Sequence, residues 1–410
     1  MTVWQSFSRK LVLWKLKSLR KGHLTLYDDS EPHAFGDPQG LAAEIRVTDP
    51  RFFPAVILGG HVGAADAYAQ GWWTSDDVPA VVRVFVQNRA LVDGLETGLA
   101  RLVQPFRWLF HTLNRNNKLG SRRNIAAHYD LGNDFFELFL DETLTYSCGY
   151  FEQSDMSLGE ASRAKYDRIC RKLDLNPEHH LVEIGSGWGG FAIHAAQRYG
   201  CRVTTTTISK EQCEFAKERI HAADLSNRIT VLRSDYRNIR GEYDRLVSIE
   251  MIEAVGHQYF PAYFESCARL LKPEGLAAIQ AITILDDQYE QARREVDFIK
   301  RYIFPGSCIP SMAVISSATM ETDLRIVHAE NFGAHYVRTL REWRRRFSQH
   351  DVEIRALGFD KWFRRIWDFY FSYCEGGFAE GAIGVSQLIF AKPAAGLSLE
   401  SISERVERVA

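Results

Sequence analysis

The feature that most constrains the fold is the regular alternation of short apolar segments with helical patterns between residues 180 and 282. Strands are predicted at His180–Ile184, Arg202–Thr207, Ile229–Leu232, Arg245–Ile249 and Leu276–Ile282. Helices are predicted between them at Phe191–Tyr199, Lys210–Ala222 and Ala262–Leu271. Strands and helices in strict turn predict a parallel sheet that helices cover on both faces.

A glycine-rich loop lies between the first predicted strand and the helix that follows it. It reads Glu183-Ile184-Gly185-Ser186-Gly187-Trp188-Gly189-Gly190, and such glycines let a backbone turn tightly and approach a ligand. The G-x-G-x-G spacing is not the dinucleotide fingerprint, the second strand ends in Thr207-Ile208 without an acid for a ribose, and no Walker-type lysine is present. The loop favours a class I S-adenosylmethionine-binding fold; a tight turn without a ligand is the alternative.

Four polar residues follow the third and fourth predicted strands, at the edge where open α/β sheets bind ligands. Asp235 and Tyr236 come after the third strand, at the usual place for contact with an adenine. Glu250 and Glu253 follow the fourth strand within an otherwise apolar segment. Because a buried carboxylate needs a partner, this context favours a functional role for the pair over surface charge.

The rest of the chain predicts a small α+β domain before the alternation and helices after it. Trp4, Phe7 and Trp14 recur at helical spacing among basic residues, which predicts an amphipathic helix over residues 4–21 that lies on an anionic membrane or packs on the protein itself. The other predicted N-terminal elements are strands at His23–Tyr27 and Ala43–Thr48 and helices at Phe52–Leu58 and Ala64–Gln70. The later predicted elements are helices at Asp286–Tyr302, Thr339–Ala356 and Lys361–Phe378 and a strand at Ser386–Ala391.

Charge is segregated along the chain although the formal net charge is only −2. Residues 1–27 and 97–129 each carry six Lys and Arg residues and no acid, so the remainder carries −14. The small total gives no field that would attract nucleic acid, and no nucleic-acid partner is expected. Seven cysteines without a Cys-x-x-Cys pair predict neither a disulfide framework nor a metal site, and they fit a reducing cytoplasm. No apolar run is long enough to span a bilayer.

Eight segments closely resemble motifs of the cyclopropane-fatty-acyl-phospholipid synthases and the related mycolic acid cyclopropane synthases. They are Ala127–Phe136, Leu144–Phe151, Glu183–Gly190, Thr207–Gln212, Glu253–Gly256, Tyr302–Gly306, Asn331–Tyr336 and Cys374–Phe378. The resemblance extends from about residue 120 to the end, and the N-terminal part resembles the two-domain, phospholipid-acting branch more loosely.

The expected fold class is α/β, a class I S-adenosylmethionine methyltransferase fold with a Rossmann-like, mostly parallel sheet and a helical lid insertion, preceded by the small α+β domain. The expected segments are a lipid-engaging domain with the amphipathic helix at 1–112, a linker at 113–124, a catalytic methyltransferase domain at 125–395 and a tail at 396–410.

The resemblance implies that S-adenosylmethionine lies over the glycine loop and that a bicarbonate ion is bound nearby. The residues expected at the cofactor are Tyr146, Ser147, Glu183, Gly185, Ser186, Gly187, Trp188, Gly189, Thr207, Ile208, Gln212, Asp235 and Tyr236. Those expected at the catalytic, bicarbonate-binding site are Cys148, Glu253, Gln280, Ile282 and Tyr336. Cys374 occupies a position once assigned as a nucleophile, but its aromatic context and a mechanism that needs no thiolate indicate a packed residue.

The activity that the resemblance implies is transfer of the sulfonium methyl group to the double bond of an unsaturated acyl chain of a membrane phospholipid. Attack leaves a carbocation, so water must be excluded, and aromatic faces such as Tyr302, Phe304 or Tyr336 would stabilise the charge. Bicarbonate, oriented by Glu253 and Tyr336, would then deprotonate the new methyl group and close a cyclopropane ring. A cytoplasmic homodimer that associates peripherally with the inner face of the membrane is expected.

One residue departs from the family pattern. The fifth strand carries Gln280 where the enterobacterial and mycobacterial enzymes have a histidine, and glutamine donates a hydrogen bond without changing charge near neutral pH. Two outcomes stay open: ring closure, or proton loss from the chain to give a methylene- or methyl-branched acid, as in related fatty-acid C-methyltransferases. A catalytically silent lipid-binding protein is a third reading, which the intact glycine loop, Glu253 and Tyr336 disfavour.

Overall fold

The computed structural model of the chain describes residues 1–29, 31–89 and 131–396. Several sequence-based expectations lie outside these residues: the second basic stretch at 97–129, the linker at 113–124, the start of the motif at 127–130 and the tail beyond residue 396. Among the described residues, no helix is both long and apolar enough to cross a membrane.

The described residues form strands and α-helices, which are numbered here in chain order. The strands are β1 His23–Tyr27, β2 His33–Gly36, β3 Ala42–Val47, β4 Trp73–Thr74, β5 His180–Ile184, β6 Arg202–Thr207, β7 Ile229–Arg233, β8 Tyr243–Ile249, β9 Leu271–Ile284, β10 Arg325–Asn331 and β11 Ile383–Ala391. The α-helices are α1 Val3–Leu16, α2 Phe52–Ala69, α3 Val78–Gln87, α4 Asn133–Glu137, α5 Leu158–Lys172, α6 Gly190–Tyr199, α7 Lys210–Ala222, α8 Phe260–Leu270, α9 Asp286–Arg294, α10 Met312–Thr319, α11 Ala334–Gln349, α12 Asp351–Ala356 and α13 Lys361–Ala379.

The chain forms two compact units, each assembled from separate segments. The first comprises the described part of Met1–Leu113 with Arg294–Pro305 and Leu340–Ala382. The second comprises the described parts of Asn114–Arg293 and Ile383–Ala410 with Gly306–Thr339. These units differ from the continuous domains expected at 1–112 and 125–395, because two late segments fold with the N-terminal residues.

A seven-stranded sheet forms the centre of the second unit, in the order β10-β11-β9-β8-β5-β6-β7. The strands β5 to β9 run parallel to their neighbours, and β11 pairs antiparallel with β9 and β10. The direction of winding reverses between β5 and β8, so the loops that follow these two strands leave the same edge side by side. Open α/β sheets bind ligands at this switch point. The mostly parallel sheet predicted from the alternation is confirmed.

Helices cover both faces of this sheet, because successive side chains of a strand point to opposite sides. In β5, Val182 belongs to an apolar core that includes Phe264 of α8. The preceding residue, Leu181, belongs to a second core that includes Ile169 of α5 and Phe191 of α6. Burial on both faces explains why the strands read as continuous apolar runs.

The first unit is built on a four-stranded sheet in the order β2-β1-β3-β4. The late helix α13 is tied to it by polar contacts. The guanidinium group of Arg365 donates hydrogen bonds to the carbonyl oxygens of Tyr68 and Trp73 at 2.5 and 2.9 Å, and it lies 4.0 Å from the Tyr68 ring. The Tyr68 hydroxyl in turn donates to Asp368 at 2.5 Å. Helix α13 is therefore a structural part of the N-terminal unit.

The predicted and observed helices differ at two places where a local residue interrupts the helical backbone. The helix predicted at 286–302 ends at Arg294, and Asp297 then accepts a hydrogen bond from the Lys300 N–H at 2.9 Å, beside a separate π-helical turn at Ile299–Ile303. The two helices predicted at 52–58 and 64–70 are joined in α2, which is broken at Gly60 (φ 57°, ψ −139°).

Among the elements of the second unit that the sequence did not indicate are α5 and β10. The buried positions of α5 include Lys165, Arg168 and Lys172, so its buried face is not apolar. The strand β10 is largely polar and lies at the edge of the sheet, where its one partner within the described ranges is β11. Hydrophobic periodicity is therefore a poor guide to both elements.

We expect Arg365→Ala to lower the free energy of unfolding by about 2 to 4 kcal/mol, because two backbone carbonyls lose a charged donor and the Tyr68 ring loses a stacked cation. Urea denaturation followed by fluorescence measures this change. The matched control is Arg355→Ala, which removes an exposed ion pair with Asp351 and should cost less than about 1 kcal/mol. Equal losses in the two variants would contradict the role given to Arg365.

Candidate active site

The glycine loop after β5 adopts a backbone that only glycine takes readily. Gly185, Gly187 and Gly189 have φ values of 97°, 48° and 85°, and these lie where L-residues are strained. The N–H groups of Gly185 and Ser186 donate to the carbonyl oxygen of Thr206 at 3.0 and 2.8 Å, which fixes the loop against β6. The loop is thus shaped for close approach of a ligand, as the sequence predicted.

A second segment, residues 142–147, is held against this loop. Arg219 of α7 donates to the carbonyl oxygens of Trp188, Thr143 and Glu142 at 2.8, 3.0 and 3.0 Å. The indole N–H of Trp188 donates to Asn133 at 2.7 Å. Sequence reasoning missed Arg219, because an arginine on an amphipathic helix is usually a solvated surface charge.

The other residues expected at the cofactor line the same edge of the sheet. The Thr207 hydroxyl donates to the side chain of Gln212 at 2.9 Å, whereas Ile208 is partly exposed. Glu183 lies fully inside, where Thr205 donates to its carboxyl group at 2.5 Å and burial raises its pKa to about 7. Glu183 therefore links β5 to the neighbouring strand β6 in the interior of the unit.

Asp235 and Tyr236 follow β7, as predicted, but Asp235 is engaged by its neighbour. Arg237 donates to both of its carboxylate oxygens, at 2.8 and 2.6 Å. The ring of Tyr236 packs edge-on against Tyr263 at 5.5 Å, and burial raises the pKa of its hydroxyl. Tyr236 presents an aromatic wall at this edge.

The two remaining cofactor candidates, Tyr146 and Ser147, precede Cys148. The Tyr146 ring contacts the rings of Phe136 and Phe139 at 5.4 and 6.1 Å. The Ser147 hydroxyl accepts a hydrogen bond from the ammonium group of Lys165 at 2.6 Å. Lys165 is buried, and burial lowers its pKa to about 8. No pattern in the sequence indicated that Lys165 would be buried beside the predicted site.

A buried carboxylate, that of Glu250, is the centre of the second half of the site. Its Oε1 accepts from the Cys148 N–H at 2.9 Å and from the Gln280 side-chain amide at 2.7 Å. Its Oε2 accepts from the Tyr336 hydroxyl at 2.6 Å. Glu250 itself has a φ of 48°, a strained backbone of the kind that clusters at functional sites. Three residues predicted to bind bicarbonate thus converge on Glu250.

Glu253, which the sequence placed at the centre, lies beside this carboxylate. Its Oε1 accepts from the Ile282 N–H at 2.5 Å, and its Oε2 is buried without a hydrogen-bond partner among the residues that the structure describes. Burial, and secondarily the charge of Glu250, raises the pKa of Glu253 to about 8. Glu253 is therefore neutral near pH 7. Two neighbouring carboxyl groups in different environments, one with three hydrogen-bond donors and one with a single donor, are the arrangement from which an acid and base pair is built.

The surroundings of Glu250 disfavour a thiolate at Cys148. Burial raises the pKa of Glu250, and the Tyr336 hydroxyl and the charge of Lys165 oppose this shift without reversing it. Burial, followed by the charge of Glu250, raises the pKa of the Cys148 thiol well above its ordinary value. Cys148 thus contributes its backbone N–H rather than its sulfur.

Cys374 and two of the aromatic residues proposed to face a carbocation, Tyr302 and Phe304, belong to the first unit. Burial raises the pKa of the Cys374 thiol, which disfavours a nucleophilic thiolate, as the sequence context indicated. The Tyr302 hydroxyl donates to Asp66 within the same unit. Of the three aromatic candidates, Tyr336 contacts the Glu250 carboxylate.

We expect Glu253→Gln to stabilise the protein progressively as the pH rises. The folded chain raises the pKa of Glu253 from 4.5 to about 8, so the folded state binds this proton more tightly and loses stability between those values. Glutamine retains the acceptor for Ile282 and removes the titration. The gain over wild type should grow to on the order of 2–4 kcal/mol near pH 8.

Chemical denaturation at several pH values measures this gain. Glu265→Gln, at an exposed position of α8, is the matched control and should give no such trend. A gain for Glu253→Gln that does not change with pH would mean that Glu253 is ionised throughout.

Comparison with known proteins connects this geometry to a family. Residues 116–388 match the family model described as mycolic acid cyclopropane synthetase. The chain is 38% identical over 384 residues to tuberculostearic acid methyltransferase UfaA1 of Mycobacterium tuberculosis, covering 89% of this chain and 87% of that protein. It is 35% identical over 358 residues to the cyclopropane-fatty-acyl-phospholipid synthase of Escherichia coli, covering 85% and 88%.

A solved structure, mycolic acid cyclopropane synthase CmaA1 complexed with SAH and CTAB, matches with a TM-score of 0.62 and 31% identity, and covers 66% of this chain and 98% of that one. The match confirms the class I methyltransferase fold that the alternation and glycine loop predicted. The resemblance seen in the sequence motifs is confirmed as well. The chain belongs to the mycolic acid cyclopropane synthetase family.

Proposed function

We propose that this protein transfers the methyl group of S-adenosylmethionine to the double bond of an unsaturated acyl chain of a membrane phospholipid and closes a cyclopropane ring. The observation that carries the proposal is the juxtaposition at one sheet edge: the glycine loop with its positive φ values follows β5, and the buried carboxyl groups of Glu250 and Glu253 follow the adjacent strand β8. The family and the Escherichia coli relative support the lipid substrate and the ring.

The residues of this edge suit the cofactor that the fold implies. When bound, S-adenosylmethionine supplies an electrophilic methyl group. The glycine loop offers backbone approach, Gln212 and Thr207 offer polar contacts, and Tyr236 offers an aromatic face. A Cβ added to Gly185 would lie 3.2 Å from the Met251 side chain, so the loop and the segment that carries Glu250 are in close contact. This contact supports a site in which a bound methyl donor and a base would lie close together.

Water exclusion follows from the burial of this region. A carbocation on the acyl chain survives only in a dry site whose polar groups are already satisfied. Gln280 and Cys148 are almost fully buried and Glu250 is partly buried, and the hydrogen-bonding groups of Gln280 and Cys148 both contact the Glu250 carboxylate. The site can therefore present a base without admitting water.

Bicarbonate, the base that the resemblance implies, does not fit the donors of this chain. The N–H of Cys148, the amide of Gln280 and the hydroxyl of Tyr336 contact Glu250, and the N–H of Ile282 contacts Glu253. A further anion beside the Glu250 carboxylate would also meet like-charge repulsion. The donors expected to hold bicarbonate are thus taken by the chain's own carboxyl groups.

A second candidate function is methyl transfer without ring closure, to give a methylene- or methyl-branched acyl chain. It is favoured by the tuberculostearic acid methyltransferase, whose name describes a methyltransferase rather than a cyclopropane synthase, and which is 38% identical over most of this chain. It is also favoured by the neutral Gln280 at the site.

Proton NMR of the lipid formed on unsaturated phosphatidylglycerol vesicles separates the two functions. We expect upfield cyclopropane ring protons, because a buried base beside the methyl donor removes a methyl proton. Ring and methylene products gain the same atoms, so their masses do not distinguish them. Vinyl signals without ring protons would contradict ring closure and support the second candidate.

We also propose that helix α1 places the enzyme on an anionic membrane surface. Ser8, Val12 and Leu16 form its buried side. The opposite side exposes Trp4, Phe7 and Trp14 by 41%, 54% and 63%, and the rings of Trp4 and Phe7 stack at 5.7 Å. Basic side chains such as Lys10 and Lys17 flank this strip. Exposed aromatics between lysines are typical of helices that lie in a membrane interface.

We expect Phe7→Ser combined with Trp14→Ser to weaken binding to phosphatidylglycerol vesicles about 10- to 100-fold, because two exposed aromatic groups no longer enter the interface. Vesicle sedimentation measures this change. Binding of the wild type should also weaken as salt rises. Leu357→Ser, an exposed apolar residue 42% accessible, is the matched control. Unchanged vesicle binding in the double variant would contradict membrane contact by this strip and would support a packing role for it.

A further inference from the structure

A buried series of side-chain hydrogen bonds leads from Lys172 to Glu250. Each group in the series donates to the next one. The Lys172 ammonium donates to Gln387 Oε1 at 2.8 Å, Gln387 Nε2 donates to Gln280 Oε1 at 3.0 Å, and Gln280 Nε2 donates to Glu250 Oε1 at 2.7 Å. Lysine has donors only, so it sets the orientation of Gln387 and hence of Gln280. Lys172 also pairs with Glu330.

This directed series assigns different roles to the two oxygens of Glu250. Oε1 accepts from both Gln280 and the Cys148 N–H, and neither donor can reverse. Oε2 accepts from the Tyr336 hydroxyl, which rotates and can accept as well as donate. A proton arriving at Glu250 is therefore accommodated on Oε2.

The groups that face Glu250 also keep it available as a base. They are Lys165, Tyr336, Cys148 and Glu253. Lys165 is the cationic member, and Glu253 is the neighbouring acid that burial holds neutral near pH 7. The Glu250 carboxyl group thus accepts from three donors and interacts with the charge of Lys165, at the end of the strand next to the glycine loop.

We propose, resting on the function above, that Glu250 Oε2 is the base that removes a proton from the transferred methyl group, in the place that bicarbonate would otherwise take. The alkene electron pair forms a carbon–carbon bond to the methyl carbon as the sulfur–methyl bond breaks, and that bond's electrons stay on sulfur. Glu250 then takes one methyl proton, and the C–H electron pair closes the ring on the cationic carbon. The proton on Oε2 subsequently leaves to solvent.

Gln387 is a positioning residue in this proposal. It does not contact Glu250, yet it fixes the amide of Gln280 that does. Loss of this contact frees Gln280 to turn its oxygen toward Glu250, which would raise the pKa of the base.

The test uses the purified enzyme, unsaturated phosphatidylglycerol vesicles and buffer freed of carbon dioxide. Wild-type turnover should change less than about twofold when bicarbonate is added. Glu250→Gln should lose at least about 100-fold in kcat, with S-adenosylmethionine affinity within about threefold of wild type. Glu265→Gln is the matched control. Retained cofactor affinity shows that the Glu250→Gln site is folded.

A second variant tests Glu250 as the base even if Glu250→Gln does not fold. Gln387→Leu should move the rising limb of the kcat–pH profile to higher pH and leave KM for the cofactor unchanged. Gln349→Leu, at an exposed position, should leave the kcat–pH profile unmoved. Wild-type activity that requires added bicarbonate, near wild-type kcat in Glu250→Gln, or an unmoved profile in Gln387→Leu would each overturn the assignment of Glu250. A wild type that methylates no lipid would instead overturn the proposed function, and with it this one.

Discussion

The carboxylate of Glu250 is the constraint on which the second unit's site depends. A carboxylate removed from water is stable only when donors and charges replace its hydration, and leaving it unpaired costs several kcal/mol. Here the donors come from three separate places: the N–H of Cys148, the amide of Gln280 on β9 and the hydroxyl of Tyr336 on α11. Satisfying one buried charge therefore fixes a loop, a strand and a helix relative to one another within this unit.

The sequence was sufficient for the parallel part of the sheet and for the glycine loop, because both depend on local patterns. Alternating apolar and helical segments predicted β5, β6 and α7 with the ends that the structure has, and the spacing of Gly185, Gly187 and Gly189 predicted a tight turn, which the structure forms with positive φ values. Hydrophobic periodicity and glycine conformation are short-range signals, and little tertiary context is needed to read them.

The same sequence was insufficient for the centre of the site. Glu250 and Glu253 looked alike as two carboxylates in an apolar segment, and which one receives the donors is decided by contacts far apart in the chain. Lys165, Lys172 and Gln387 carried no signal, because charged residues on a helix and a glutamine in a strand are usually exposed. Here these side chains are buried, and they balance or orient Glu250.

A base at Glu250 requires that Glu250 is ionised and Glu253 neutral in the folded protein. Infrared difference spectroscopy of wild type against each Glu→Gln variant at about pH 6 tests it directly. We predict that Glu250→Gln removes a carboxylate stretching band and that Glu253→Gln removes a carboxylic acid carbonyl band. The reverse assignment, or a carboxylic acid band lost in both variants, would contradict a Glu250 base at this site.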